Sequence, residues 1–226
     1  MPSVGAIRTG ICAPAGASPH RIVWSDVLTR ALDIAIATLA LVLVAPTMVL
    51  IAILVRLQDG GPALYHQPRI GRGGVMFECL KFRSMSVGAE RKLDQLITRT
   101  GVQQLEWSLT HKLRDDPRVT PLGRLLRVSS LDELPQLLNV LRGDMSLVGP
   151  RPIVADEIWR YGKRIRHYVA VRPGLTGLWQ VKGRNDVPYR RRVAMDVTLV
   201  RRRSVRTYCV ILLLTIPAVI RRQGVY

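Results

Sequence analysis

The 226-residue sequence predicts an α+β, mostly helical membrane protein with one small β-hairpin. Three stretches carry that prediction. Ile34 to Val55 holds no charged residue. At about 1.5 Å per residue it matches a hydrocarbon core about 30 Å thick. Two runs of strand-forming residues flank Gly71-Arg72-Gly73-Gly74, a hairpin turn signal. An apolar helical spacing (Leu134, Leu137, Leu138, Leu141) follows the adjacent carboxylates Asp132 and Glu133. Composition points the same way. The formal charge is +18 while 48% of residues are hydrophobic, a pairing unusual for a soluble domain. Nucleic-acid binding would explain the charge but not the apolarity, and aromatics are only 5% with no nucleic-acid-binding motif. Nucleic acid is therefore not an expected partner. A protein lying on an anionic leaflet accounts for both features.

Residues 1–25 are rich in Ala, Gly, Pro and Ser without an apolar period and read as a flexible arm, with no early signal peptide. Residues 26–58 form the membrane segment. Ala45-Pro46 falls near its middle, where proline removes a backbone hydrogen bond and bends a helix. Arg8, Arg21 and Arg30 precede the apolar run and a basic body follows it. Spanning proteins concentrate Lys and Arg on the cytoplasmic side. A single spanning helix and a segment that enters and returns on one face both remain open. Leu64 to Ile70 and Val75 to Phe82 are the strands of the hairpin. Its glycines lack the Lys-Ser/Thr and the following helix of a phosphate-cradling loop.

Residues 87–113 are mixed in charge and loosely helical. Asp115-Asp116-Pro117-Arg118 reads as a turn, with a metal site as the rival reading. Pro135 would clash with the carbonyl of Leu131 inside a helix, so a helix is expected to begin close to Asp132, near unpaired N–H groups suited to a phosphate. Neighbouring residues on a helix diverge, so Asp132 and Glu133 are not expected to face one another across a single bond. Ser130-x-x-Glu133 also fits a capping box, which would explain the serine and the glutamate without chemistry.

After Pro152 cations dominate, from Arg160 through Arg206, and polyanion contact is expected. Tyr208 to Ile220 is apolar, too short to span and flanked by basic residues. It suits an interfacial helix, with a buried core helix as the alternative. The three cysteines, Cys12, Cys79 and Cys209, have no metal spacing and read as reduced thiols facing the cytoplasm.

Ser129-Leu131-Asp132-Glu133-Leu134-Pro135-Gln136-Leu137, Gly143-Asp144-Met145-Ser146 and Val148-Gly149-Pro150-Arg151-Pro152 resemble the core of the bacterial sugar transferases, the monotopic phosphoglycosyl transferases. Val171-Arg172-Pro173-Gly174-Leu175-Thr176-Gly177 through Gln180 and Gly183-Arg184-Asn185 extend the resemblance, which covers roughly Arg30 to Tyr226. The likeness is to the short exopolysaccharide-initiating members. It implies a re-entrant helix-break-helix with proline at the break, and a catalytic domain over residues 59–226 ending in an interfacial helix. It implies transfer of a sugar-1-phosphate from a UDP-sugar to polyprenyl phosphate, with UMP released and an aspartyl-phosphosugar intermediate. Asp132 would be the nucleophile and Glu133 a ligand to Mg²⁺, while Lys81, Arg127, Arg151 and Arg184 would hold substrate phosphates. The expected place is the cytoplasmic face of the bacterial inner membrane, with galactose or glucose as the sugar and homo-oligomerisation left open. The chain departs from the family pattern at Leu199, where an aromatic is common, and at Thr207, where an acid is common. The rival function is a membrane-anchored scaffold for polysaccharide enzymes, which would not need Asp132.

Overall fold

Residues 24–89, 91–93, 116–183 and 187–220 are described by the structure, a computed structural model. They begin with α1, Trp24–Asp59, helical at each of its 36 residues with Pro46 inside it. The expected break is therefore not a non-helical interruption; Pro46 sits within a continuous helix. Asp26–Asp59 is long and apolar enough to cross a membrane, and Leu39, Val42, Leu43, Val49, Leu50 and Ile53 are exposed along it. Next comes the expected hairpin, β1 (Leu64–Ile70) and β2 (Met76–Phe82). Its turn runs through Gly73 and Gly74, both at positive φ where a side chain would be strained. The arm at residues 1–23 and most of residues 87–113 lie outside the described residues.

The described residues fall into two units. One holds residues 44–65 and the described part of 80–135. Its core joins Ile51 and Val55 of α1 to Phe82 and Leu126, with Leu122, Leu131 and Leu134 packed around them. Arg83 closes the end of α1: its guanidinium donates to the Val55 carbonyl at 3.1 Å and pairs with Asp59, whose other hydrogen bonds come from the Gly61 and Val87 amides. A cation capping final helical carbonyls is the favoured polarity. Helix α2, Pro121–Ser129, starts with Thr120 accepting from the Gly123 amide at 2.9 Å and proline in its first turn. Gly123 must lack a side chain, because a Cβ there would sit 1.9 Å from the Ser84 carbonyl oxygen.

The other unit holds residues 24–43, 66–79 and the described part of 136–220. Helix α3 (Gln136–Arg142) leads into β3 (Ser146–Val148), which pairs in parallel with β4 (Gly174–Thr176). Between them run the short helices α4 (Ile158–Tyr161) and α5 (Ile165–Tyr168). Helices α6 (Leu178–Lys182), α7 (Tyr189–Arg201) and α8 (Val205–Ile220) follow. Tyr161, Tyr168, Ile70, Ile153 and Val193 form the core. The N-terminal turns of α1 dock here through polar groups. Arg30 donates to the Val140 and Leu141 carbonyls at 2.6 and 3.0 Å, at the end of α3. Asp33, only 2% exposed, accepts from the Ser146 hydroxyl, the Leu147 amide and the Tyr208 hydroxyl at 2.8–3.0 Å. Three donors are what a buried carboxylate needs. Helix α8 combines the two readings of its sequence: Tyr208 and Ile211 are buried, whereas Val210, Leu213, Leu214 and Ile216 are exposed.

Candidate active site

Asp132 and Glu133 lie in a tight 3₁₀ turn, Leu131–Glu133, between α2 and α3. The expected helix start near Asp132 is thus corrected: the α-helix begins at Gln136, directly after Pro135. Pro135 explains the offset, since an α-helical turn through it would drive its ring into the Leu131 carbonyl. The Glu133 and Leu134 amides instead bond three residues back, to the Ser130 and Leu131 carbonyls. Ser130 ends α2 in the left-handed conformation (φ 58°) and its side chain caps nothing, so the capping box does not form. Leu131 and Leu134 pack into the hydrophobic core and fix the turn.

The turn brings both carboxylates to one cation. Lys81 Nζ, near the end of β2, lies 2.7 Å from Glu133 Oε1 and 3.8 Å from Asp132 Oδ2. Both carboxylates thus reach the same lysine from one turn. Arg127, on α2, is half-buried and donates from Nε to the Ser84 hydroxyl at 2.8 Å. Burial lowers its pKa, and the fields of Asp132 and Asp116 oppose that drop. Asp132 is 8% exposed. Its carboxyl is pushed up to about 6 by burial, with Lys81 and Arg127 pulling down and Glu133 adding to the rise. A desolvated carboxylate beside a lysine and an arginine makes a site suited to a group that brings negative oxygens with it.

Arg151 belongs to the other unit, exposed on the segment after β3. Arg184 lies outside the described residues. Asp116 is consumed by Arg118, which donates to it from its backbone N, Nε and Nη2 at 2.6–3.0 Å, so the turn reading stands there; Asp115 is outside the described residues. Among the described residues no group of three or more His, Cys, Asp or Glu is arranged to hold a metal. Mg²⁺ needs only one or two carboxylates when substrate phosphates complete its shell, and Glu133 beside Asp132 fits that donor set. Sequence reasoning missed Ser84, which orients Arg127 from 43 residues away. It also missed Asp33 as the buried anchor of α1. Leu199 and Thr207, where the chain departs from the family pattern, both line a small cleft with Thr29, Arg172, Arg203 and Tyr208.

The family profile described as "Bacterial sugar transferase" matches residues 24–222. The exopolysaccharide production protein ExoY of Sinorhizobium fredii is 49% identical over 197 residues, covering 87% of this chain and 87% of that protein. The undecaprenyl-phosphate galactose phosphotransferase of Salmonella typhimurium is 46% identical over 202 residues, which is 89% of this chain and 42% of that protein. The UDP-glucose:undecaprenyl-phosphate glucose-1-phosphate transferase of Caulobacter vibrioides is 39% identical over 221 residues, 94% of this chain and 76% of that protein. The chain thus spans less than half of the Salmonella relative and most of the other two. With the match running from the first turn of α1 past the end of α8, and with a buried aspartate among cations at its centre, the chain belongs to the bacterial sugar transferase family.

Proposed function

We propose that this protein transfers a sugar-1-phosphate from a UDP-sugar to undecaprenyl phosphate at the cytoplasmic face of the inner membrane, initiating an exopolysaccharide repeat. The observation that carries the reading is Asp132, buried and raised to about 6, beside Lys81 and Arg127. A scaffold gains nothing from that arrangement, which costs stability. The Salmonella relative is named for galactose and undecaprenyl phosphate and the Caulobacter relative for UDP-glucose and undecaprenyl phosphate, which supports these donor and acceptor classes, with galactose or glucose as the sugar.

In the first step an Asp132 carboxylate oxygen bonds to the sugar-bearing phosphorus, and the bond between the two phosphates breaks to release UMP. In the second, a phosphate oxygen of undecaprenyl phosphate attacks the same phosphorus and Asp132 departs, leaving a lipid diphosphate sugar. Lys81 and Arg127 balance charge on the transferring group, as a loose phosphoryl transition state requires. Arg151 and Arg184 would hold the diphosphate, arginine being suited to fork-like phosphate contacts. Glu133 would hold Mg²⁺ together with phosphate oxygens, an ion that supplies charge neutralisation on the leaving group. The re-entrant course of α1 belongs to the same reading, with Pro46 as the point where the segment turns back.

The test is UMP release and lipid-product formation by the full-length protein in nanodiscs containing undecaprenyl phosphate, across a panel of UDP-sugars, with Mg²⁺ and with EDTA. Release with one sugar, stopped by EDTA, is the expected result. No release with any nucleotide sugar overturns the proposal.

A further inference from the structure

Ser84, just past the end of β2, is 9% exposed, and its backbone is held against the start of α2. Its carbonyl accepts from the Thr120 amide at 3.2 Å, and the next residue, Met85, bridges antiparallel to Val119. The Ser86 amide donates to the Arg118 carbonyl at 2.9 Å. Gly123 lies against the Ser84 backbone, where any side chain would collide. Gly123 and Arg127 stand four residues apart on α2 and so share one face of the helix. The close approach that Gly123 permits brings Arg127 Nε within 2.8 Å of the Ser84 hydroxyl.

That acceptor is neutral, with a chemical consequence. A guanidinium is planar, so an acceptor on Nε, together with the stem, fixes its plane and the direction of its terminal nitrogens. A carboxylate in the same place would fix the plane but also offset the charge. Asp116, whose field reaches Arg127, is itself engaged by Arg118 through three nitrogens at 2.6–3.0 Å. The field of Asp132 reaches Arg127 as well. A hydroxyl thus orients the guanidinium while its charge still acts at Asp132.

We propose that Ser84 is a positioning residue for the transfer: its hydroxyl holds Arg127 through Nε so that the guanidinium meets the phosphate that Asp132 attacks. This role in the reaction rests on the transferase reading; the coupling from Ser84 through Arg127 to Asp132 does not. Ser84 acts through Arg127 alone, so its contribution disappears when Arg127 is removed.

The test is a double-mutant cycle on the full-length protein in nanodiscs, with undecaprenyl phosphate, UDP-galactose or UDP-glucose, and Mg²⁺. Wild type is compared with Ser84→Ala, Ser84→Thr, Arg127→Met and the variant carrying Ser84→Ala and Arg127→Met together. Loss of one hydrogen bond to a charged group lowers kcat for Ser84→Ala by about tenfold at unchanged Tm, and Ser84→Thr restores most of it. Asp132 faces Lys81, Glu133 and Arg127, and Arg127 lowers its pKa, so a released Arg127 also moves the acidic limb of kcat/KM to higher pH. In the Arg127→Met background Ser84→Ala costs less than about twofold. Equal costs in both backgrounds, or Ser84→Ala activity within about twofold of wild type, overturn the proposal. If Ser84→Ala fails to fold, Ser84→Cys, close to serine in shape but a weak acceptor, replaces it in the cycle. No UMP release by wild type removes the transferase reading. The coupling is then read by ¹³C-carboxyl NMR titration of Asp132, assigned with Asp132→Asn. A rise in its pKa on Ser84→Ala that vanishes without Arg127 keeps the coupling, and no rise overturns it.

Discussion

Asp132 carries a cost that its neighbours only partly offset. Its folded pKa, about 6, lies above the ordinary 3.8, so between those values the folded protein holds a proton that the unfolded chain has lost. The stabilising contribution of the protonated form is present below pH 3.8 and is lost as pH rises through about 6. At pH 8 the ionised group therefore opposes folding by about 2–3 kcal/mol. Asp132→Asn should abolish formation of the sugar-phosphate adduct and raise Tm at pH 8 by a few degrees, measured by trapping with labelled UDP-sugar and by thermal unfolding of the same preparation. An unchanged Tm would mean that burial does not oppose the charge; a wild-type yield of adduct would remove Asp132 as nucleophile. Lys81 lowers the Asp132 pKa, so Lys81→Met should move the acidic limb of the kcat/KM profile to higher pH as well as slowing the reaction. A limb that stays in place would show that Lys81 acts on the substrate alone. The adjacency of the two carboxylates was legible in the sequence. Their meeting at one lysine was not, because it depends on a turn geometry that residue spacing does not reveal.

That turn exists because two elements fail to merge. Helix α2 stops at Ser130, the one non-glycine residue at positive φ among those described, and α3 cannot start before Pro135 has passed. A left-handed residue other than glycine costs roughly 1–2 kcal/mol. Ser130→Gly should preserve activity and leave stability equal or higher, whereas Ser130→Val should lose roughly 1–2 kcal/mol and misplace Asp132. Denaturant unfolding and UMP release on the pair check this, and equal behaviour of the two variants would remove the backbone constraint. The β1–β2 hairpin was legible because Gly73 and Gly74 announce its turn within a few residues. The 3₁₀ turn was not, because proline excludes one conformation without naming its replacement. The docking of Asp33 was hidden for another reason: its partners Ser146 and Tyr208 stand 113 and 175 residues away, beyond the range of any local pattern.

At the scale of the molecule, a formal charge of +18 and a helix long and apolar enough to cross a membrane are the features behind the membrane reading proposed above. At 36 residues, α1 is about 54 Å long and exceeds the hydrocarbon thickness if it runs straight. Under the re-entrant proposal the arm and the body share the cytoplasm. With Cys79 and Cys209 changed to Ser, a membrane-impermeant maleimide should ignore Cys12 in intact spheroplasts and label it after lysis. Labelling before lysis would establish a true span. Pro46→Leu should favour a straight helix and expose Cys12 outside. The buried contacts of Arg30 and Asp33 also set an order on synthesis. Helix α1 leaves the ribosome long before Val140, Ser146 and Tyr208 exist, so its first turns wait with two charged side chains unmet. Tyr208, 175 residues after Asp33, completes the set. A nascent chain halted before α8 would have its first helix made but this clasp open.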